Sequence, residues 1–235
     1  MKNLFIYIHG KGGNADEALH YKSLFPDCDV IGFDYKSNTP WDAKKEFSDY
    51  FDSVANSYDE VSLIANSIGA FFSMNALAEK PIKKAFFISP MVNLEKLICD
   101  MMMWAGISEE TLREKKEIAT DFGETLSWEY LCYVRENPIK WRIPTKILYG
   151  SKDNLTTLET MQEFANKAGA TLTVMEGGEH WFHTEEQMEF LDRGIICITQ
   201  TRLRCRCVRA SCGWASRFRY RRSRWPRNRK CARCP

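Results

Sequence analysis

Six short runs rich in β-branched and aromatic residues lie between Asn3 and Met175, and helical patterns separate them. They occupy residues 3–8, 29–34, 60–65, 84–89, 145–149 and 171–175. Several, such as NLFIYI and KAFFIS, are almost continuously apolar, as strands covered on both faces must be. Between them, residues 42–58 place Phe47, Phe51 and Val54 on one helical stripe. Residues 68–79 and 156–167 carry further helical patterns, and Gly169 suits a helix end. Thr184 with Gln187 fits a capping box that opens a last helix through Met188 and Leu191. Strands alternating with helices dictate an α/β architecture, a parallel sheet with helices on both faces.

Residues 91–141 break the alternation. Asn93, Ser108 and Ser127 can each cap a helix, ending near Met103, near Ala119 and before Pro138, and no strand is expected there. The stretch is far longer than the dozen or so residues a crossover needs. It reads as a helical lid inserted at the carboxyl edge of the sheet, packed down or lining a pocket through Leu94, Leu97, Ile98, Met101, Met102 and Trp104.

Ligands of parallel α/β sheets bind outside the carboxyl ends of the strands, so polar residues that follow strands carry the chemistry. The run 60–65 leads into Asn66-Ser67-Ile68-Gly69 and a helix. A serine on so tight a turn needs small residues two positions before and after it, here Ala65 and Gly69. This resembles the G-x-S-x-G nucleophile elbow of α/β-hydrolases, with alanine at the first glycine. His9-Gly10-Lys11-Gly12-Gly13, directly after the first run, resembles the HG-x-G oxyanion loop of the same superfamily. The competing phosphate-loop patterns G-x-G-x-x-G and G-x-x-x-x-G-K-[ST] are absent.

Asp153 follows the run 145–149, and His180 follows 171–175 within Gly177-Gly178-Glu179-His180. The order Ser67, Asp153, His180 is the order that superfamily uses. His183 competes for the role of base, but His180 is nearer the strand and matches the Gly-x-His placement. A metal reading of His180-x-x-His183 lacks a third ligand nearby in sequence.

About residues 2–198 thus resemble a compact cytosolic α/β-hydrolase without the usual first antiparallel strands. The resemblance implies an α/β-hydrolase fold of about six mainly parallel strands with a helical lid. It implies a serine hydrolase that cleaves a carboxylic ester, thioester or amide through an acyl-enzyme, with no metal or organic cofactor. Ser67 is then the nucleophile, His180 the base and Asp153 the acid. Backbone N–H groups of Lys11 and Ile68 form the oxyanion hole, and His9 braces the loop. Met101, Trp104 and His183 are candidates for the pocket of a small-molecule acyl substrate. The alternative is a non-catalytic small-molecule binding protein on the same scaffold.

Charge divides the chain. Residues 199–235 hold twelve Arg and one Lys with no acidic residue, so residues 1–198 carry the other 20 basic residues against all 31 acidic ones. The first part uses Lys over Arg sixteen to four; the last reverses that bias. Arg interleaved with Trp, Phe and Tyr can bind nucleic acid or an anionic surface, and Cys231-x-x-Cys234 can supply half a zinc site. The abrupt change near Arg193-Gly194, inside a helical pattern, reads instead as a disordered, non-native or out-of-frame end, with nucleic acid not an expected partner. Cys28, Cys99, Cys132 and Cys197 read as reduced core residues. The apolar run after Lys2 is too short for a signal-peptide core, and no run is long enough to span a bilayer, so the expected location is cytoplasmic.

Overall fold

The structure, a computed structural model, describes residues 1–196; the expectations for residues 197–235, including Cys197, lie outside the described residues. Strands β1 (Asn3–Ile8), β2 (Asp29–Phe33), β3 (Glu60–Asn66), β4 (Ile82–Ile88), β7 (Thr145–Gly150) and β8 (Thr171–Met175) form one sheet in the order β2-β1-β3-β4-β7-β8. Every pairing in it is parallel.

The strand faces alternate as their sequences demand. Leu4, Ile6 and Ile8 of β1 face one core, with Leu63, Ala65, Phe87 and Ile147 from the neighbouring strands. Phe5 and Tyr7 face the other, with Ile64, Phe86 and Leu148. The first core is closed by α2 (Pro40–Ala55), α3 (Ser67–Ala76) and α7 (Leu158–Ala168), through Phe47, Phe51, Phe72, Met74 and Met161. The second is closed by α1 (Ala18–Lys22) and α8 (Glu185–Ile196), through Tyr21, Leu191 and Ile195. Each such side chain contributes roughly 1.5–3 kcal/mol on burial. Thr39 caps α2 with Pro40 in its first turn, and left-handed Gly169 ends α7.

The chain leaves β1 toward β2 and returns on the other side of β1 as β3. The sheet order therefore reverses between β1 and β3, whose ends stand level with Ile8 beside Ala65. A crevice opens at such a reversal.

Residues 91–141 depart from expectation. Helices α4 (Leu94–Trp104), α5 (Glu109–Lys115) and α6 (Trp128–Glu136) form behind caps at Asn93, Ser108 and Ser127. Between α5 and α6 lies an antiparallel hairpin, β5 (Glu117–Ala119) and β6 (Thr125–Ser127). Helix α5 stops at Lys116, whose φ of 67° breaks the helix four residues early. The stretch packs hard: Leu94, Leu97, Ile98, Met102, Leu112, Leu126 and Leu131 are buried in the first core. The Arg135 guanidinium ties its helices together, on Glu95 of α4 and Glu109 of α5. Cys28, Cys99 and Cys132 are free thiols and half-buried, Cys99 against the first core and Cys28 against the second. Among the described residues, no helix is long and apolar enough to cross a membrane.

Candidate active site

Ser67 sits where β3 turns into α3, with a φ of 48°. For a residue with a side chain this left-handed conformation costs energy and persists only when the surroundings enforce it. The enforcement is visible at Gly69. A Cβ there would lie 2.2 Å from the His9 carbonyl oxygen and 2.9 Å from Ile8 Cγ2, so only glycine lets α3 press against the end of β1. The first N–H groups of α3 have no partner within the helix and carry its positive end toward the serine.

The imidazole of His180 reaches Ser67 from the loop after β8. Ser67 Oγ lies 2.8 Å from His180 Nε2, and His180 Nδ1 lies 2.7 Å from Asp153 Oδ2. The Asp153 carboxylate is wholly buried (0% side-chain exposure) and His180 is 16% exposed. The other carboxylate oxygen accepts the backbone N–H groups of Leu155 at 2.8 Å and Thr156 at 3.1 Å. An ionised carboxylate only accepts, so opposite one His180 Nδ1 carries the hydrogen and Nε2 faces the Ser67 hydroxyl with its lone pair.

Asp153 and His180 align because their loops are laced together. Ser151 N–H donates to the Met175 carbonyl at 2.9 Å and Lys152 N–H to the Gly178 carbonyl at 2.7 Å. Gly177 N–H donates to Ser151 Oγ at 2.8 Å. Tyr149 donates its hydroxyl to the Thr156 carbonyl at 2.7 Å, at the end of the Asp153 turn. Burial, and then the Asp153 charge, push that hydroxyl up to about 12, so it stays a donor at neutral pH.

The loop after β1 lies against the serine: a Cβ on Gly10 would be 3.2 Å from Ser67 Cβ. The Gly10 carbonyl accepts from His9 Nδ1 at 2.8 Å and from the Gly13 N–H at 3.1 Å. The Lys11 N–H belongs to the same planar trans peptide and therefore points the opposite way from that carbonyl. His9 stacks on Tyr35 with ring centroids 4.3 Å apart, and Tyr35 donates its hydroxyl to the His9 carbonyl at 2.9 Å. With its Nδ1–H spent on Gly10, His9 is built into the loop and takes no part in the Ser67–His180–Asp153 contacts.

His183 is elsewhere. Its Nδ1 donates to the Trp181 carbonyl at 2.7 Å, its ring stacks on Trp181 and Glu179 is 3.6 Å away. Met101 is half-buried against the first core, and Trp104 is 54% exposed with its edge against Phe122. A surface hollow of about 540 Å³ is lined by Lys115, Lys116, Glu117, Ser127, Trp128, Glu129 and Cys132. Ser67, Asp153 and His180 are not among its lining residues.

Sequence reasoning passed over the supports: Tyr35 under the loop, the backbone donors after Asp153, and Glu17. The Glu17 carboxylate accepts the Tyr7 hydroxyl and, at 3.2 Å, the Asn14 N–H. Asn14-x-x-Glu17 is a capping-box spacing, the one sequence signal among these.

No protein-family description matches the chain, and no curated protein matches it by sequence. Solved structures do. Est1E from Butyrivibrio proteoclasticus shares 18% identity at a TM-score of 0.68, over 86% of this chain and 89% of that one. Alpha/beta hydrolase domain-containing protein 10 from mouse shares 16% at 0.66, over 84% and 89%. The esterase PF2001 of Pyrococcus furiosus shares 17% at 0.55, over 86% and 82%. Likeness at such identities is likeness of fold.

Proposed function

The chain has the α/β-hydrolase fold, and on that fold we propose that it is a serine hydrolase cleaving a carboxylic ester through an acyl-enzyme. The observation that carries this is the unbroken relay from Ser67 Oγ to His180 to the buried Asp153 carboxylate. An alcohol is a weak nucleophile until a neighbouring base takes its proton, and the relay supplies that base in the right tautomer.

In this reading the Ser67 oxygen attacks the substrate carbonyl as His180 Nε2 takes the hydroxyl proton. Charge develops on the former carbonyl oxygen, facing the N–H groups of Lys11 and Ile68. Each such donor is worth about 2.7–4 kcal/mol in the transition state. His180 gives its proton to the leaving alcohol, and water then repeats the sequence on the acyl-enzyme. Water is the only co-reactant, so no cofactor is called for. Thioesters and activated amides undergo the same steps; esters demand least of the leaving group.

Residues 91–141 serve as the lid, with Trp104 and Phe122 offering an exposed aromatic pair to a small acyl or aryl group. The test is steady-state turnover of p-nitrophenyl acetate. Ser67→Ala is expected to lower kcat by roughly a million-fold, to the residue left by binding and the oxyanion donors. Turnover unchanged in that variant would remove Ser67 from the chemistry.

A further inference from the structure

The loop after β1 and the β5–β6 hairpin are joined by one ion pair across 113 positions of sequence. Lys11 Nζ lies 2.6 Å from both carboxylate oxygens of Glu124. Lys11 is also the residue whose backbone N–H the proposed reaction uses. The geometry points to Glu124 as a positioning residue that holds the oxyanion loop through the Lys11 side chain, an inference that rests on the serine hydrolase reading.

Both ends of the contact are fixed. On the hairpin, Thr120 Oγ1 donates to the Glu124 carbonyl at 2.7 Å and accepts the Glu124 N–H at 3.2 Å. Thr120 N–H donates to the same carbonyl at 2.8 Å, and Gly123, with a φ of 84°, donates its N–H to the Thr120 carbonyl. The turn therefore presents Glu124 in one direction. Two residues along, Phe122 meets Trp104 at a centroid distance of 6.3 Å, which anchors the same turn on the end of α4. On the loop, His9 and Gly13 hold the Gly10 carbonyl and so set the Gly10–Lys11 peptide plane from one side. The Glu124 carboxylate holds the other end of that plane, the Lys11 Cα, through the Lys11 side chain. Gly12, with a φ of 77°, follows Lys11 and brings no side chain of its own to hold that end of the loop.

The pair is exposed, with side-chain exposures of 71% and 42%. A contact of this kind shifts an equilibrium by about three- to fivefold at most, and salt screens it. Turnover should accordingly depend on ionic strength through this one contact. Glu124→Gln tests it, together with the charge-swapped double variant Lys11→Glu/Glu124→Lys. At low salt Glu124→Gln is expected to lower kcat on p-nitrophenyl acetate by about three- to fivefold, with KM changed less than about twofold. Raising the salt should bring wild type down to the variant, and the swapped pair should regain most of the loss. Amide hydrogen exchange at residues 10–13 should rise in Glu124→Gln and fall back in the swapped pair.

Unchanged exchange and kcat in Glu124→Gln would overturn the proposal, and so would a loss that the swapped pair does not repair. The exchange readout needs no turnover. A protein whose Ser67→Ala variant keeps full activity would refute the hydrolase reading, while raised exchange in Glu124→Gln would still establish the clasp.

Discussion

Asp153 does two things with one carboxylate. One oxygen closes the turn onto the N–H groups of Leu155 and Thr156, and the other fixes the hydrogen of His180 on Nδ1. Asp153→Asn separates the two. The asparagine oxygen can keep the backbone donors, which leaves its NH2 facing His180 Nδ1. The imidazole must then accept at Nδ1 and carry its hydrogen on Nε2, where it cannot take the Ser67 proton. Asp153→Asn is expected to lower kcat by about 10^4-fold while the thermal midpoint moves little, measured by steady-state kinetics beside calorimetry. A loss of fold instead would show that the turn, and not the tautomer, depends on the charge. At this scale the sequence was informative because each of the three residues lies in the turn or loop that follows a strand. The preference for His180 over His183 was readable from their places after the strand; the His183 ring turned back onto the Trp181 carbonyl was not.

Among the elements, the elbow shows how closely two backbones must approach. Gly69→Ala would set a Cβ 2.2 Å from the His9 carbonyl oxygen, a backbone atom that cannot turn aside as the end of a flexible side chain can. The variant is expected to lose about 1–3 kcal/mol in urea denaturation, and kcat with it, as α3 is pushed off the loop after β1. A Gly69→Ala protein with wild-type stability and turnover would mean the approach is looser than drawn. The strands and the main helices were legible because burial on two faces and helical periodicity leave strong patterns. The β5–β6 hairpin was not. Its strands are three residues each, too short for alternation to register, and the chain between α5 and α6 can be read as helix on either side. Gly123 was its one local mark. The end of α5 was misplaced for a related reason, because a lysine at a φ of 67° gives no signal in sequence.

Over the whole molecule, the parallel strands β1, β3, β7 and β8 end on one edge, which gathers there the loop at His9, the elbow at Ser67 and the loops of Asp153 and His180. That convergence follows from parallel strands alone and was therefore readable. The form of the 91–141 insertion was not, because helix caps mark where helices start and not how they pack against one another. Of the apolar residues read as packing or pocket, Leu94, Leu97, Ile98 and Met102 are buried in the core, while Trp104 stays exposed beside Phe122. The relay itself spans 113 residues of sequence, so its competence depends on the entire sheet being assembled. The most direct measurement is peptide mapping after reaction with a fluorophosphonate, in wild type and in His180→Ala. One adduct on Ser67 in wild type, and none in His180→Ala over the same interval, is the expected result. An unlabelled wild type, an adduct on another residue, or equal labelling without His180 would contradict a serine activated by that imidazole.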